Sequence, residues 1–514
     1  MKPIRLVSGF LTVGGWTMLS RILGFVRDAM ILAYLGTGPA YQAFVVAFRL
    51  PNMFRRFFAE GAFNTAFVPI FSKKIEAGED AETFASDALS GLASVLIALT
   101  LIAHLIMPWL VFALASGFAG SEEFALSVEF GRITFPYILF ISIAALLSGV
   151  LNATGRFAAA AAAPVLLNVM LIGGMYVGAL ATGLDVATAL IWTIPLAGLG
   201  QMALVWIAAS RAGLSIRLKR PVWTPELKDL VRIAVPAALA GGVVQVNLLV
   251  GQQVASYFDR AVGWLFAADR LYQLPLGVVG IAIGIVLLPD LSRRLKAEDI
   301  EGSRDALSRG AEMSLLLTIP AAVALVAIPV PLVSVLFERG ATTAEDTQAI
   351  ALAVAVYGLG LPAFVMQKIY QPLYFARGDT KTPFRYALVC MLVNAVLAIG
   401  LAPVIGWIAT ALATTVAGWA MVVQLGLGTR PMGEMARFDD RFRRRLPRIA
   451  AAALIMGAAL VPLAWALGPW LAMPGIRFAA LFVLVLGGAV VYFGAGHLIG
   501  AFRLGDLRRV LRRG

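Results

Sequence analysis

Residues 88–114 read ALSGLASVLIALTLIAHLIMPWLVFAL, and no Asp, Glu, Lys or Arg occurs between Asp87 and Glu122. A helix that crosses the hydrocarbon core of a bilayer needs about 20 mostly apolar residues, and it must satisfy its backbone groups internally. This stretch meets the first demand outright. Comparable runs, bounded by Gly, Pro and charges, recur along the chain. Scanning for them predicts about fourteen spans: 8–35, 41–72, 87–116, 125–152, 160–182, 187–210, 230–258, 263–292, 310–337, 348–375, 384–402, 405–427, 447–468 and 475–500. The alternating pattern of barrel strands is absent. The expected fold is therefore an all-α polytopic membrane protein.

Composition agrees. Apolar residues make up 60% of the 514, and charged residues 14%, against about 45–50% and 25% in soluble domains. The net charge of +13 could point to nucleic acid, but no water-facing domain exists to carry a basic patch. Sorting the 42 basic residues by position explains most of it. About 30 fall in loops on the side of the termini, and only Arg260, Arg339 and Arg477 on the other. By the positive-inside rule both termini are expected in the cytoplasm of a bacterial inner membrane. Arg441–Arg445 and the tail Arg508–Arg513 are topology signals that also suit anionic membrane lipids. Lys2 and Arg5 before an apolar run resemble a signal peptide. Arg21, Arg27 and Asp28 follow in the same run, so it reads as a retained first helix.

Five matches recur in order at an offset near 220 residues. Ala47-Phe48-Arg49-Leu50 matches Ala268-Asp269-Arg270-Leu271, and Val68-Pro69-Ile70-Phe71-Ser72 matches Leu288-Pro289-Asp290-Leu291-Ser292. Asp87-Ala88-Leu89-Ser90 matches Asp305-Ala306-Leu307-Ser308. Phe135-Pro136 matches Leu361-Pro362, and Leu166-Leu167-Asn168-Val169 matches Leu392-Val393-Asn394-Ala395. The reading is two six-helix lobes, 1–215 and 216–430, related by a pseudo-two-fold along the membrane normal, with 431–514 holding two extra helices and a basic tail. Such halves in a transporter meet around a cavity that alternates its access.

Nine basic residues lie inside the spans. An arginine at a helix centre costs at least about 2.5–3.5 kcal/mol against lipid. Those far from span ends must line a wet cavity or pair internally. In the first span Arg21 and Asp28 are seven apart and share a face with Gly24 between them, and Asp28 can hold either Arg21 or Arg27. In the second, Arg49, Asn52, Arg56 and Glu60 form one polar stripe beside Pro51, which should kink the helix. Either Arg55 or Arg56 faces the cavity. In the eighth span Asp269, Arg270 and Gln273 precede Pro275. Arginines outnumber carboxylates, and the planar guanidinium suits phosphate. The expected ligand is an anion.

No P-loop, HExxH, GxSxG or acidic metal cluster is present, so neither a cofactor nor catalysis is expected. Cys390 stands alone, and His104 and His497 are far apart.

The motifs Ser20-Arg21-Ile22-Leu23-Gly24-Phe25-Val26-Arg27-Asp28, Ala47-Phe48-Arg49-Leu50-Pro51-Asn52, Arg55-Arg56-Phe57-Phe58-Ala59-Glu60-Gly61, Thr134-Phe135-Pro136-Tyr137 and Ala268-Asp269-Arg270-Leu271 resemble those of the bacterial MurJ (MviN) lipid II flippases. The resemblance covers essentially the whole chain. It implies the multidrug/oligosaccharidyl-lipid/polysaccharide exporter fold, and flipping of undecaprenyl-pyrophosphate-linked disaccharide-pentapeptide. It places the family's essential cavity arginines on Arg21, Arg27, Arg55 and Arg270, and motif positions on Asp28, Asn52 and Glu60. Residues 447–500 would then form a groove for the polyprenyl tail, and cell-wall synthesis enzymes become candidate partners. Two positions depart from the pattern: Gln42 and Gln273 stand where acids often occur. Helices 7 and 11 offer Gln245, Asn247 and Asn394 but no acid for a cation. The competing readings are a flippase for another polyprenyl-linked glycan, a cation/drug antiporter of the same fold, and a non-transporting scaffold.

Overall fold

The computed structural model describes residues 6–55, 62–180, 185–282 and 288–502. Among them there is no strand. Among the described residues ten helical stretches are long and apolar enough to cross a membrane, one of them running over two helices from Glu122 to Ala153, each coinciding with a span read from the sequence. The other four sequence-read spans coincide with α1 (Leu6–Leu35), α2 (Pro39–Arg55) with α3 (Ala62–Ala77), α10 (Pro225–Ala255) and α11 (Ala261–Ala282) with α12 (Leu288–Lys296). Those elements carry most of the charges inside the spans.

The chain divides into two compact units, Met1–Gly263 and Trp264–Gly514. The first continues with α4 (Ala81–Leu105), α5 (Met107–Leu114), α6 (Glu122–Thr134), α7 (Tyr137–Ala153), α8 (Ala158–Leu180), α9 (Val186–Arg211) and α10 (Pro225–Ala255). In it α8 packs on α9 and α1, α7 on α9, and α2 on α6. The second runs from α11 (Ala261–Ala282) through α12 (Leu288–Lys296), α13 (Ile300–Ala327), α14 (Pro329–Phe337), α15 (Ala344–Phe375), α16 (Lys381–Ile405), α17 (Ile408–Gly428), α18 (Asp440–Ala466) and α19 (Gly468–Ala472) to α20 (Arg477–Leu498).

Prolines explain the breaks, and side chains repair them. Pro51 has no N–H for the carbonyl of Ala47 four residues back. The Thr134 hydroxyl on α6 donates to that carbonyl at 3.2 Å instead. Pro108 likewise frees the carbonyl of His104 where α4 gives way to α5, and Nε of Arg132 donates to it at 3.3 Å. An arginine within the fourth sequence-read span, 125–152, thus mends a broken helix.

The internal repeat reappears in the backbone of each unit. Left-handed residues pair as Gly78 with Glu298, Gly120 with Gly340, Gly155 with Gly378, and Gly213 with Gly433, 220 to 223 positions apart. Asp80 caps α4 through Thr83 N, and Asp299 caps α13 through Gly302 N, both at 2.9 Å. The Ser90 hydroxyl accepts from Lys219 N at 2.8 Å, and that of Ser308 from Asp439 N at 3.0 Å. Packing does not divide where the repeat does. α10 opens the second repeat, yet it is tied into the first unit at both ends. Glu226 lies 3.6 Å from Lys74, and Oε1 of Gln253 accepts from Ser116 N at 2.9 Å.

Outside the repeat, α18 lies against α13 and α20 against α18. Their shared core includes Leu316, Ile449, Met456, Leu460, Leu484 and Tyr492. Small residues allow close approach: a Cβ on Gly457 would stand 2.6 Å from Val323, and one on Gly488 2.8 Å from Leu460. The Tyr492 hydroxyl donates to the Leu316 carbonyl at 2.8 Å. A charged clamp completes the joint. The buried carboxylate of Glu312 on α13 accepts from Arg309 and from Arg441 and Arg445 on α18, and Arg309 also reaches Asp439.

Candidate anion-binding site

In the first unit α1 holds one neutralised arginine and one open arginine. Arg27 and Asp28 are both buried. Nε and Nη2 of Arg27 donate to the same oxygen of Asp28, at 2.9 and 2.6 Å. Nη1 donates at 2.8 Å to the side-chain oxygen of Asn168 on α8. The Asn168 amide in turn donates to the Ser20 carbonyl at 2.9 Å and the Ser20 hydroxyl at 3.3 Å. It therefore crosses the face of α1 over Gly24, where an added Cβ would touch it at 3.6 Å. The room that Gly24 leaves is filled by this amide. Asn168 was legible only as a repeat position, and its signal was a polar residue in an apolar helix, repeated as Asn394.

Of the two arginines that Asp28 could serve, it takes Arg27. Arg21 is exposed and makes no hydrogen bond or ion pair among the described residues. An exposed cation without a counterion, on the same helix as a compensated pair, is an arrangement that favours an incoming anion.

On α2, Arg49, Asn52 and Arg55 are all partly buried. Asn52 turns onto its own helix, its amide donating to the Phe48 carbonyl at 2.8 Å just at the Pro51 kink. Phe54 meets Phe135 edge-on at 5.5 Å, which anchors the turn that carries Arg55. Arg56 and Glu60 lie outside the described residues, so the 49–52–56–60 stripe is described only in its first half. The side chain of Gln42 is buried, and its carbonyl oxygen has no hydrogen-bond partner among the described residues. An aspartate there would place a charge where even an amide is incompletely satisfied.

In the second unit, α11 presents Asp269, Arg270 and Gln273. The Gln273 amide donates to the Asp269 carboxylate four residues earlier. A glutamate at 273 would set two carboxylates one turn apart, which is repulsive, so the neutral amide is what allows the pair. Arg270 lies over the ring of Phe266, 4.3 Å from its centroid. A ring face steadies a guanidinium without cancelling its charge. The two units thus each bring arginine to the repeat-matched second helix, Arg49 and Arg55 on α2 and Arg270 on α11.

The family model for the lipid II flippase MurJ matches residues 31–478. A probable lipid II flippase MurJ from Rhizobium tropici is 43% identical, over 99% of this chain and 97% of its own length. The lipid II flippase MurJ of Burkholderia cenocepacia is 34% identical over 98% of this chain and 99% of its own. Among solved structures, a lipid II flippase MurJ in an inward closed conformation superimposes with a TM-score of 0.79 at 24% identity, covering 95% of this chain and 98% of that one. An inward-facing MATE family multidrug transporter has the same fold at a TM-score of 0.67 and 14% identity, covering 81% and 95%.

Proposed function

This chain belongs to the lipid II flippase MurJ family, and we propose that it carries undecaprenyl-pyrophosphate-linked disaccharide-pentapeptide to the outer leaflet of the bacterial inner membrane by alternating access. Peptidoglycan synthesis is the process that consumes such a lipid on that side. The chain is a multi-pass membrane protein, and the loop charges favour both termini in the cytoplasm. The arginines Arg21, Arg27, Arg49, Arg55 and Arg270 are the groups that would meet the pyrophosphate, with Asp28 holding Arg27, and Asn52, Glu60, Asp269 and Gln273 as the further polar positions assigned to substrate binding. Residues 447–500 would take the polyprenyl tail. Enzymes of cell-wall synthesis are its natural neighbours.

The observation that carries this reading is the contrast on α1. Arg27 is neutralised by Asp28, while Arg21, two turns earlier, keeps its charge exposed. An organic cation would be repelled there, which disfavours the drug antiporter. The test is replacement of the host's own copy by Arg21→Ala, followed by leaflet-selective labelling of lipid II. The expected result is normal protein level with lipid II retained in the inner leaflet. A wild-type leaflet distribution would overturn the reading.

A further inference from the structure

Two of the three basic residues that the sequence places opposite the termini meet around one ring. Arg339 follows α14, and Arg477 opens α20. Their guanidinium carbons stand 5.3 and 5.5 Å from the centroid of Phe478. Arg339 donates to the carbonyls of Leu336 and Val335, and Arg477 to the carbonyl of Glu338 at 3.0 Å. These bonds cap the carbonyl end of α14 and occupy one nitrogen of each group. Neither guanidinium has a carboxylate in salt-bridge reach among the described residues, and Nε of each is buried there without a hydrogen-bond partner. The neighbouring acid, Glu338, accepts instead from the Thr347 hydroxyl at 3.0 Å.

Two uncompensated cations side by side are costly unless something else supplies negative charge. Burial, and then the charge of Arg477, pull the Arg339 pKa below its ordinary value. Arg477 also occupies the first turn of α20, where the helix dipole is positive and an acid is usual. Ile476 at the cap offers no side-chain acceptor. Below the pair, Phe478, Phe482 and Leu486 are exposed at 47%, 66% and 51%. Their spacing of four makes an apolar stripe about 12 Å long. A basic head over an apolar stripe on a membrane helix matches a charged lipid.

We propose that Arg339 and Arg477 bind the phosphate of an anionic glycerophospholipid in the leaflet opposite the termini, with an acyl chain laid along Phe478, Phe482 and Leu486. One phosphodiester suits two guanidiniums gathered on a single ring. The head of this site is separate from the arginines assigned to the carried lipid, while its apolar stripe lies within the 447–500 segment assigned to that lipid's tail, so the test sets phosphatidylglycerol against undecaprenyl pyrophosphate.

The test is native mass spectrometry of the full chain from nanodiscs of phosphatidylglycerol or phosphatidylcholine. The wild type is expected to retain phosphatidylglycerol selectively. Arg339→Gln with Arg477→Gln should lower retention about tenfold or more, the size of losing charge-assisted hydrogen bonds. Arg339→Lys with Arg477→Lys should fall between the two. If the double glutamine variant does not fold, Arg477→Gln alone is expected to show a smaller loss of the same sign. Unchanged retention in the glutamine variants that fold overturns the proposal. So does a site that takes undecaprenyl pyrophosphate but not phosphatidylglycerol.

Discussion

Nη1 of Arg27 on α1 donates to the side-chain oxygen of Asn168 on α8 across 2.8 Å, with 141 residues of chain between them. Through that amide the first helix is tied to the fifth sequence-read span, and a buried guanidinium has both of its faces answered.

Asn168→Ala should therefore cost about 1–3 kcal/mol, since it strands a donor of Arg27 and removes the bond to Ser20 in a buried place. Thermal unfolding in detergent measures it. A melting temperature equal to wild type would show that the tie contributes nothing.

Asp28→Ala removes the only carboxylate on Arg27 among the described residues and leaves a buried charge. The expected loss is about 3–5 kcal/mol, whereas replacing both members by apolar residues of similar size should be nearly neutral. Arg27→Met with Asp28→Leu thus separates packing from function. That double variant should lose much less than Asp28→Ala, about the 1–3 kcal/mol of an Asn168 oxygen left without its donor, and fail to support growth when it is the only copy. Full complementation would confine Arg27 to packing.

Thr134→Val keeps the shape of α6 but withdraws the hydroxyl from the Ala47 carbonyl that Pro51 leaves open. A destabilisation of about 1 kcal/mol is expected, with faster amide exchange around 47–55. Restoring an N–H with Pro51→Ala should reduce the effect of the Thr134 change. Equal effects in both backgrounds would dissociate Thr134 from the kink.

Glu312→Gln leaves Arg309, Arg441 and Arg445 without their shared buried anion. The joint between α13 and α18 should weaken by about 3–5 kcal/mol, while α15–α17 stay as they are. Hydrogen exchange that rises in α18 and α20 alone would match. A rise spread evenly over the second unit would contradict the clamp.

Much of the architecture was legible in the chain. The ten most apolar helices coincide with sequence-read spans because composition over twenty residues is enough to choose lipid over water. The repeat was visible as five motif matches at one offset, and in the structure four pairs of left-handed turn residues keep that distance. The candidate site was legible in outline, since a charge in an apolar run is conspicuous. The partner of Asp28 was not. Helical periodicity assigns a residue to a face but says nothing of rotamers, so Arg21, seven residues away, looked as suitable as the adjacent Arg27. Asn168 was likewise seen only as a repeat mark, because one amide in an apolar helix signals a polar contact without naming its partner.

The boundary between lobes shows the same division. Dividing the spans into two sets of six starts the second half before α10, while Glu226 and Gln253 fasten α10 to the first unit. Membrane class, helix spans, topology signals and the surplus of cations were settled by composition and spacing, which are local properties of the chain. Which arginine is neutralised, which carbonyl a proline leaves to be repaired, and which two cations share Phe478 were settled by folding. Each depends on distances of about 3–5 Å between groups far apart in sequence, the range over which hydrogen bonds and charges in a poorly screened interior are decided.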